Sequence, residues 1–296
     1  MRIAFIGLGN MGAPMAANLI KVGFRVRGYD AVVGARERAA TFMTVSETSF
    51  DAVADADAVV TMLPNGEVAV QVWLEIVAKL PAGTVAIDCS TIDLASARSI
   101  HELCSRFGLL PVDAPVSGGV GGAAAGTLTF MCGGADEALD AAMPILSAMG
   151  KRIVRCGTAG AGQAAKICNN MVLGVSMIAV CEAFALADRL GLDRQAMFEV
   201  VSTSSGSCWS INTYCPVPGV GPKSPADNDY KPGFAAALML KDLRLARDAA
   251  ASVNAHAPLG AHAAEIYERF VTEGNGDKDF SAVIQALGAA TPKEPQ

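Results

Sequence analysis

The sequence has few of the residues that metal sites, disulfide frameworks and nucleic-acid surfaces require. It has three histidines, none near a cysteine pair, so we expect no zinc site. Its eight cysteines are irregularly spaced without a C-x-x-C pair, and most lie in apolar segments, as reduced core cysteines do. The net charge is −6 and there is no run of lysine or arginine, so nothing indicates a nucleic-acid partner.

Long apolar runs are also missing. The most apolar stretch, Met171 to Val180, is ten residues long, which is too short to cross a bilayer and predicts a buried helix. A strand is predicted from Arg2, so we expect no targeting segment ahead of it and a cytoplasmic protein. At 296 residues, 52% hydrophobic and 18% charged, the chain is long for one core and predicts two globular domains.

The first motif is Gly-Leu-Gly-Asn-Met-Gly at residues 7–12. It follows a short apolar run and precedes a helical pattern, and the next predicted strand ends on Asp30, 18 positions after Gly12. This order of strand, G-x-G-x-x-G, helix, strand and acid is typical of dinucleotide-binding proteins. Gly7 permits the tight turn, Gly9 lets the backbone approach the pyrophosphate, and Gly12 lets the helix pack closely on the strand.

Asp30 indicates which dinucleotide is bound. A carboxylate at this position accepts hydrogen bonds from the adenosine ribose hydroxyls and repels a 2′-phosphate. Arg36 and Arg38 follow, but on the next helix. The sequence therefore predicts NAD rather than NADP.

The alternation of strands and helices continues through the first half of the chain. Strands are predicted at 58–63, 84–88 and 109–113, with helices at 66–79 and 94–107, which is typical of a doubly wound parallel sheet. Ligands of such sheets bind beyond the carboxyl ends of the strands. The predicted strand-end residues are Gly7, Asp30, Leu63, Pro64 and Thr91. Taken alone, Pro64 is equally well interpreted as a helix start and Thr91 as an N-cap.

A glycine-rich segment follows the last of these strands. Five glycines occur in the ten residues 117–126, directly after Val116. Such a segment predicts a loop rich in main-chain N–H groups that suits a small anion such as a carboxylate, and a flexible linker is the alternative. Strands at 128–132 and 152–155 and a helix at 136–149 then complete the first domain.

No further strand is predicted from Gln163 onward. Helices are predicted at 163–190, 193–203, 234–252, 260–273 and 279–288. The fold class is therefore an α/β, Rossmann-type doubly wound sheet domain, residues 1–162, followed by an all-α domain led by a long interdomain helix, residues 163–296. Because that first helix is apolar all round, we expect it to form the core of its domain and to need a second subunit for full burial.

Lys166 is the unusual residue of the long helix. It is the only full positive charge between Arg155 and Arg189, and it shares a helix face with Asn170, four residues on. A buried ammonium is costly unless it has a partner or a function, and the alternative is a lysine that reaches solvent near a helix end. Residues 206–233 are predicted to form a loop without regular structure, which covers the active site or reaches a partner subunit.

The chain resembles the β-hydroxyacid dehydrogenase family over roughly residues 2–288. The motifs that carry the resemblance are Gly7-Leu-Gly-Asn-Met-Gly12, Asp88-Cys-Ser-Thr91, Asp113-Ala-Pro-Val-Ser-Gly-Gly119, Gly126-Thr-Leu-Thr129, Gly162-Gln-Ala-Ala-Lys-Ile-Cys-Asn-Asn170 and Lys241-Asp-Leu243. The resemblance implies NAD-dependent oxidation of a short hydroxyacid, (S)-3-hydroxyisobutyrate, to methylmalonate semialdehyde, by a homodimer or homotetramer. Another short hydroxyacid, such as L-serine or tartronate semialdehyde, is the alternative substrate, and a non-catalytic nucleotide-binding scaffold is the alternative class.

The resemblance also implies roles for individual residues. Lys166 is implied to be the catalytic lysine. The residues implied to bind substrate are Ser117, Gly118, Gly119 and Asn170. The residues implied to contact the cofactor are Gly7, Leu8, Gly9, Asn10, Met11, Gly12, Asp30, Leu63, Pro64, Val68, Thr91, Phe234 and Lys241. Val68 stands where the family often has an asparagine, and a valine offers only its backbone or packing there.

Overall fold

The computed structural model describes residues 1–287, which divide into a first unit, Met1–Lys166, and a second unit that begins at Ile167. The boundary between the units falls inside one continuous helix, Ala161–Leu190. The proposed domain boundary after residue 162 stays a prediction.

The first unit is built on a nine-stranded sheet whose strand order is β3-β2-β1-β4-β5-β6-β8-β7, with β9 paired to β8. The strands are β1 (Arg2–Ile6), β2 (Arg25–Tyr29), β3 (Thr44–Val45), β4 (Ala58–Thr61), β5 (Val85–Asp88), β6 (Leu110–Asp113), β7 (Val116–Ser117), β8 (Leu128–Gly134) and β9 (Gly150–Gly157). β1 pairs in parallel with β2 on one side and with β4 on the other, so the winding direction reverses there. A reversal of this kind opens a ligand crevice at the carboxyl ends of the strands.

Seven helices cover the sheet, and the long helix follows the last of them and β9 in the chain. They are α1 (Gly12–Lys21), α2 (Val33–Ala39), α3 (Ser49–Val53), α4 (Gly66–Ile76), α5 (Leu94–Arg106), α6 (Gly119–Ala125) and α7 (Asp136–Met149). Alternate residues of β1 enter opposite cores: Ile3 and Phe5 pack with α1 and α7, while Ala4 and Ile6 pack with α4 and α5. This two-residue period is the expected result of covering both faces of a strand.

The predicted doubly wound α/β fold is confirmed, with differences at the edges. β8 runs antiparallel to β6 and β7, so the sheet is mixed rather than wholly parallel. β3 and α3 were not predicted, because two and five residues are too few to show a periodic pattern.

The glycine-rich segment is not the loop that its composition predicts. Residues Gly119–Ala125 form α6, flanked by Gly118 with φ of 136° and Gly126 with φ of 66°. The glycines with positive φ, which include Gly119 at the first position of α6, therefore lie at the two ends of the segment, while three consecutive alanines continue the helix between them.

The long helix α8 (Ala161–Leu190) has 30 residues, and it is long and apolar enough to cross a membrane by length and composition alone. The core helix of a soluble protein passes the same test, and Met177, Cys181 and Phe184 of α8 are buried inside the protein. The prediction of a buried helix for residues 171–180 is confirmed only in part, because Met177 and Ile178 are buried while Val172 is 64% exposed.

The second unit contains helices and, among its described residues, no strand beyond a single bridge between Ala235 and Asp279. Its helices after α8 are α9 (Arg194–Thr203), α10 (Trp209–Asn212), α11 (Ala236–Ser252), α12 (Pro258–Phe270) and α13 (Ile284–Leu287). A π-helical turn, Val271–Asn275, follows α12, and a 3-10 turn, Phe280–Val283, precedes α13. Residue 288, the predicted end of the last helix, lies outside the described residues.

Residues 206–233 were predicted to lack regular structure, and this was wrong in part. The segment holds α10 and a 3-10 turn, Pro225–Asn228, and it buries Ile211, Cys215 and Val217 in one cluster with Phe184 of α8. Prolines and glycines conceal these short elements, because they remove the helical period from the sequence without preventing a turn.

Candidate active site

The turn between β1 and α1 is fixed by glycines that tolerate no side chain. Gly7 has φ of 97° and donates its N–H to Tyr29 O over 2.9 Å. A Cβ on Gly7 would overlap the carbonyl oxygen of Met62, and a Cβ on Gly12 would overlap that of Gly7. These glycines bring β1, β4 and the start of α1 into direct contact, as the motif predicts.

Gly9 differs from Gly7 and Gly12, because no atom of residues 1–287, apart from its chain neighbours, lies within 4 Å of the place its Cβ would occupy. The N-terminus of α1 also has no side-chain cap, whereas Asn65 caps α4 and Asp93 caps α5. The first N–H groups of a helix have no partner within the helix and favour an anion. Residues 7–12 therefore fit the pyrophosphate of a dinucleotide.

Asp30 lies directly after β2, beside this turn. Its carboxylate accepts one hydrogen bond from Leu8 N over 2.7 Å and another from Val32 N over 2.8 Å. The Arg36 guanidinium donates to the carbonyl oxygen of Asp30 over 2.7 Å, so it is held by the main chain that follows β2. The carboxylate is thus held at the position from which a ribose is recognised.

The ends of β4 and β5 are joined through Ser90. Its hydroxyl donates to Asp88 Oδ1 over 2.6 Å and accepts from Leu63 N over 2.8 Å. Thr61 donates to the same Asp88 oxygen over 2.6 Å. Burial raises the pKa of Asp88 to about 6, against the hydrogen bonds, which lower it.

Pro64, Val68 and Thr91 lie on or next to these two strand ends. α4 begins at Gly66 behind the Asn65 cap, and α5 is capped by Asp93, so Pro64 does not start a helix and Thr91 is not the N-cap. Val68 donates its N–H to Asn65 Oδ1 over 2.9 Å, so this N–H already has a partner. Its side chain is half-exposed and, being apolar, can offer only packing to a ligand.

The start of α8 is held by a buried carboxylate from β6. Asp113 accepts hydrogen bonds from Gly160 N over 2.8 Å and from Gln163 N over 2.9 Å. Lys166 follows one turn later and is only 8% exposed, so the interpretation as a lysine that reaches solvent is wrong. Within the same unit, Ser117 ends β7 and Gly118 and Gly119 lead into α6.

The remaining predicted site residues belong to the second unit. Asn170, one turn beyond Lys166 in α8, is buried and donates to the Asp242 carboxylate of α11. Lys241 lies 3.7 Å from the other oxygen of that carboxylate. Phe234 precedes α11, and its N–H donates to Asp279 Oδ2 over 3.1 Å.

No role was assigned from the sequence to several buried polar residues of these networks, although most of them lie in the motifs that carry the resemblance. These residues are Asp88, Ser90, His101, Asp113, Gln163, Asp242 and Asp279. Asp88 and Asp113 each end a strand, in register with one another, and an acidic residue at the carboxyl end of an apolar strand was the available signal.

Comparisons with known proteins agree with this geometry. Residues 2–157 match the family described as the NAD-binding domain of 6-phosphogluconate dehydrogenase, and residues 160–287 match the one described as NAD-binding of NADP-dependent 3-hydroxyisobutyrate dehydrogenase.

Individual relatives match over nearly their whole length. The chain is 54% identical over 288 residues to a probable 3-hydroxyisobutyrate dehydrogenase of Mycobacterium tuberculosis, covering 97% of this chain and 98% of the relative. It is 45% identical over 290 residues to an NAD-dependent L-serine dehydrogenase of Pseudomonas aeruginosa, covering 97% of each. A solved structure of the M. tuberculosis 3-hydroxyisobutyrate dehydrogenase with L-serine superposes with a TM-score of 0.94 at 53% identity, covering 97% of this chain and 99% of that one.

The fold, the dinucleotide turn and the relatives define an NAD-dependent oxidoreductase. The chain belongs to the 3-hydroxyisobutyrate dehydrogenase family.

Proposed function

We propose that the protein oxidises the primary alcohol of (S)-3-hydroxyisobutyrate to methylmalonate semialdehyde, a step of valine breakdown, with Lys166 handling the hydroxyl proton. The observation that carries the proposal is a lysine only 8% exposed at the start of α8, whose first turn is hydrogen-bonded to the ends of β5 and β6. Ligands of doubly wound sheets bind at this edge.

The reaction removes a hydride from the alcohol carbon and a proton from its oxygen. NAD, when bound, accepts the hydride. The Lys166 amine hydrogen-bonds the hydroxyl oxygen, stabilises the negative charge that develops there and relays the proton. An arginine at this position would fail, because a guanidinium does not give up its proton.

Binding of the substrate carboxylate is assigned to Ser117, Gly118 and Gly119, with Asn170 one turn beyond Lys166 orienting the substrate. Gly118 has φ of 136°, which a residue with a side chain rarely adopts, so the main chain there is shaped by the absence of a Cβ. Asn170 is held in one orientation by its hydrogen bonds with Asp242 and Asn169.

L-serine is the second candidate substrate, because one relative is an L-serine dehydrogenase and a closely superposing structure contains L-serine. Steady-state rates with NAD for (S)-3-hydroxyisobutyrate, its enantiomer and L-serine decide between the candidates. We expect the highest kcat/KM for (S)-3-hydroxyisobutyrate. A higher value for L-serine would replace the proposed substrate while keeping the chemistry.

A preference for NAD over NADP is assigned to Asp30, whose carboxylate would repel a 2′-phosphate. The test compares kcat/KM for the two cofactors in the wild type and in Asp30→Asn, which keeps the size of the side chain and removes its charge. We expect the ratio to fall at least ~10-fold in the variant, since one charge repulsion in a partly buried site is worth more than ~1.4 kcal/mol. A wild type that prefers NADP contradicts the assignment.

We also propose that the protein assembles into a homodimer or homotetramer. Three large apolar side chains of α8 lie on the surface of the single chain: Val172 is 64% exposed, Leu186 59% and Leu190 74%. Exposed apolar side chains along one helix are characteristic of association surfaces. A monomeric mass in light scattering at micromolar concentration would contradict this part of the proposal.

A further inference from the structure

We infer that Asp113 and Gln163 are positioning residues that hold Lys166 in its reactive place, an inference that rests on the proposed role of Lys166. Neither residue is assigned to the substrate or the cofactor. Both act on the first turn of α8, and Lys166 projects from the turn that follows.

The carboxylate of Asp113 caps α8 from a distant part of the chain. Its two oxygens accept the N–H groups of Gly160 and Gln163, which lie 47 and 50 residues later. The first N–H groups of a helix need acceptors from outside the helix. For α8 the acceptor is the carboxylate of Asp113, the last residue of β6. A cap of this kind fixes where α8 begins and the direction in which its first turn runs.

Asp113 is itself held in place and is 1% exposed. His101 Nε2 lies 2.8 Å from Asp113 Oδ1 on the side of α5. Gly133 and Gly162 allow the close approach: a Cβ on Gly162 would lie 2.7 Å from Asp113 Oδ2, and one on Gly133 would lie 2.5 Å from Oδ1. The carboxylate therefore sits in a cradle that permits one orientation.

Gln163 ties the same helical turn to the end of β5. Its side chain is fully buried, donates to Ser90 O over 2.6 Å and accepts from Ile92 N over 3.2 Å. These two main-chain groups lie on either side of Thr91. The amide of Gln163 thus fixes the rotation of α8 about its axis relative to the strand ends.

The link from Gln163 to Lys166 is the helix itself. Residues three apart lie on neighbouring positions of one helix face, and the backbone between them is rigid. A misplacement of ~1 Å in a reacting group can cost ~10²-fold in rate. Losing the Gln163 amide would rotate or loosen the first turn, and the lysine with it.

The test is a double-mutant cycle between Gln163→Met and Lys166→Ala. Methionine keeps the volume of glutamine and removes both hydrogen bonds. We expect Gln163→Met to lower kcat ~10- to 100-fold with the Kd for NAD changed less than ~3-fold. In the double variant, kcat should equal that of Lys166→Ala, because a residue that acts only through the lysine has no effect once the lysine is gone.

Gln195→Met is the matched control, since Gln195 lies on the exposed face of α9 and its amide bonds only Glu199. Its kcat should equal that of the wild type. All variants are assayed well below their melting temperatures, so that a loss of folded protein is excluded. Asp113→Asn serves as a second variant with the same expected pattern where it folds.

The outcomes separate the two proposals. If Lys166→Ala retains turnover, the proposed function fails. If Lys166→Ala is inactive but Gln163→Met keeps kcat within ~2-fold, or its effect adds to that of Lys166→Ala, the positioning role is wrong and the proposed function stands. A Gln163→Met effect that appears in the Kd for NAD rather than in kcat also overturns the positioning role.

Discussion

Two of the helix N-termini at the carboxyl edge of the sheet in the first unit, those of α1 and α8, are finished in opposite ways. The start of α1 has no side-chain cap and open space above Gly9. The start of α8 receives a carboxylate from the protein itself, Asp113. Both ends carry the partial positive charge of a helix N-terminus.

We therefore assign the two N-termini different roles. The N-terminus of α1 binds a ligand, and the N-terminus of α8 positions the residues that follow it. An uncapped N-terminus keeps its N–H groups available for a ligand anion, for which we propose the cofactor's pyrophosphate. A capped N-terminus has used its N–H groups internally, so its value to the site is the fixed direction of the residues that follow. Lys166 follows such an end, which suits a group that must meet a reacting atom.

The largest effect we expect from breaking the α1 turn comes from Gly12→Ala. Its Cβ would overlap the carbonyl oxygen of Gly7, so β1 and α1 must separate. We expect a loss of about 3 kcal/mol in the free energy of unfolding, measured with urea, because overpacking typically costs ~1–3 kcal/mol and the overlap here is with the backbone. Gly34→Ala on α2, where the nearest side-chain atom is 3.5 Å away, is the control and should be neutral or stabilising. Equal stability for the two variants would contradict the described packing.

On the α8 side, Asp88 ends β5 in register with Asp113 at the end of β6. Since burial raises the pKa of Asp88 from 3.8 to about 6, the folded state holds a proton that the unfolded state has lost between those values. Asp88 therefore stabilises the fold at low pH, and this contribution is lost as the pH rises through about 6.

The expected result is a pH-dependent difference between the wild type and Asp88→Asn. The free energy of unfolding of the wild type minus that of the variant should be about 2 kcal/mol larger at pH ~4.5 than at pH ~7.5. Urea titrations at the two pH values measure it. A difference that is independent of pH, or larger at the higher pH, would contradict the raised pKa.

A smaller and more selective effect is expected from Gly9→Ala. The variant should fold as stably as the wild type, because the added methyl group meets no protein atom within 4 Å. It should weaken NAD binding about 10-fold, since the methyl occupies the space that the pyrophosphate needs. Fluorescence titration with NAD measures this, and an unchanged Kd would show that the dinucleotide lies elsewhere.

The two helix starts also show how far the sequence predicts the structure. The turn at residues 7–12 can be recognised locally, because glycine spacing, strand pattern and Asp30 lie within 30 residues of each other, although Gly7 also packs against Met62. The cap on α8 joins Asp113 to residues 47 and 50 positions later, and no local pattern carries that pairing. Lys166 and Asn170 could be identified from their unusual setting, whereas Gln163, Asp113 and His101 could not.

The same reason explains the errors elsewhere. α6 and α10 are short helices in segments rich in glycine or proline, and they are stabilised by what they pack against rather than by their own propensity. The hydrogen bonds of Asp279 are also tertiary, because its carboxylate accepts from Tyr214 and Phe234 as well as from the nearby Ser281. The amino-acid composition alone does not show which main-chain and side-chain groups will donate hydrogen bonds to the Asp279 carboxylate.

The most direct test of the central claim is the turnover of Lys166→Ala and Lys166→Arg with NAD and (S)-3-hydroxyisobutyrate. We expect kcat to fall at least ~10²-fold in both variants, while NAD binds with nearly the wild-type Kd, because in the proposed mechanism the lysine handles the proton and does not hold the dinucleotide. Wild-type turnover in either variant, with intact NAD binding, would contradict the account.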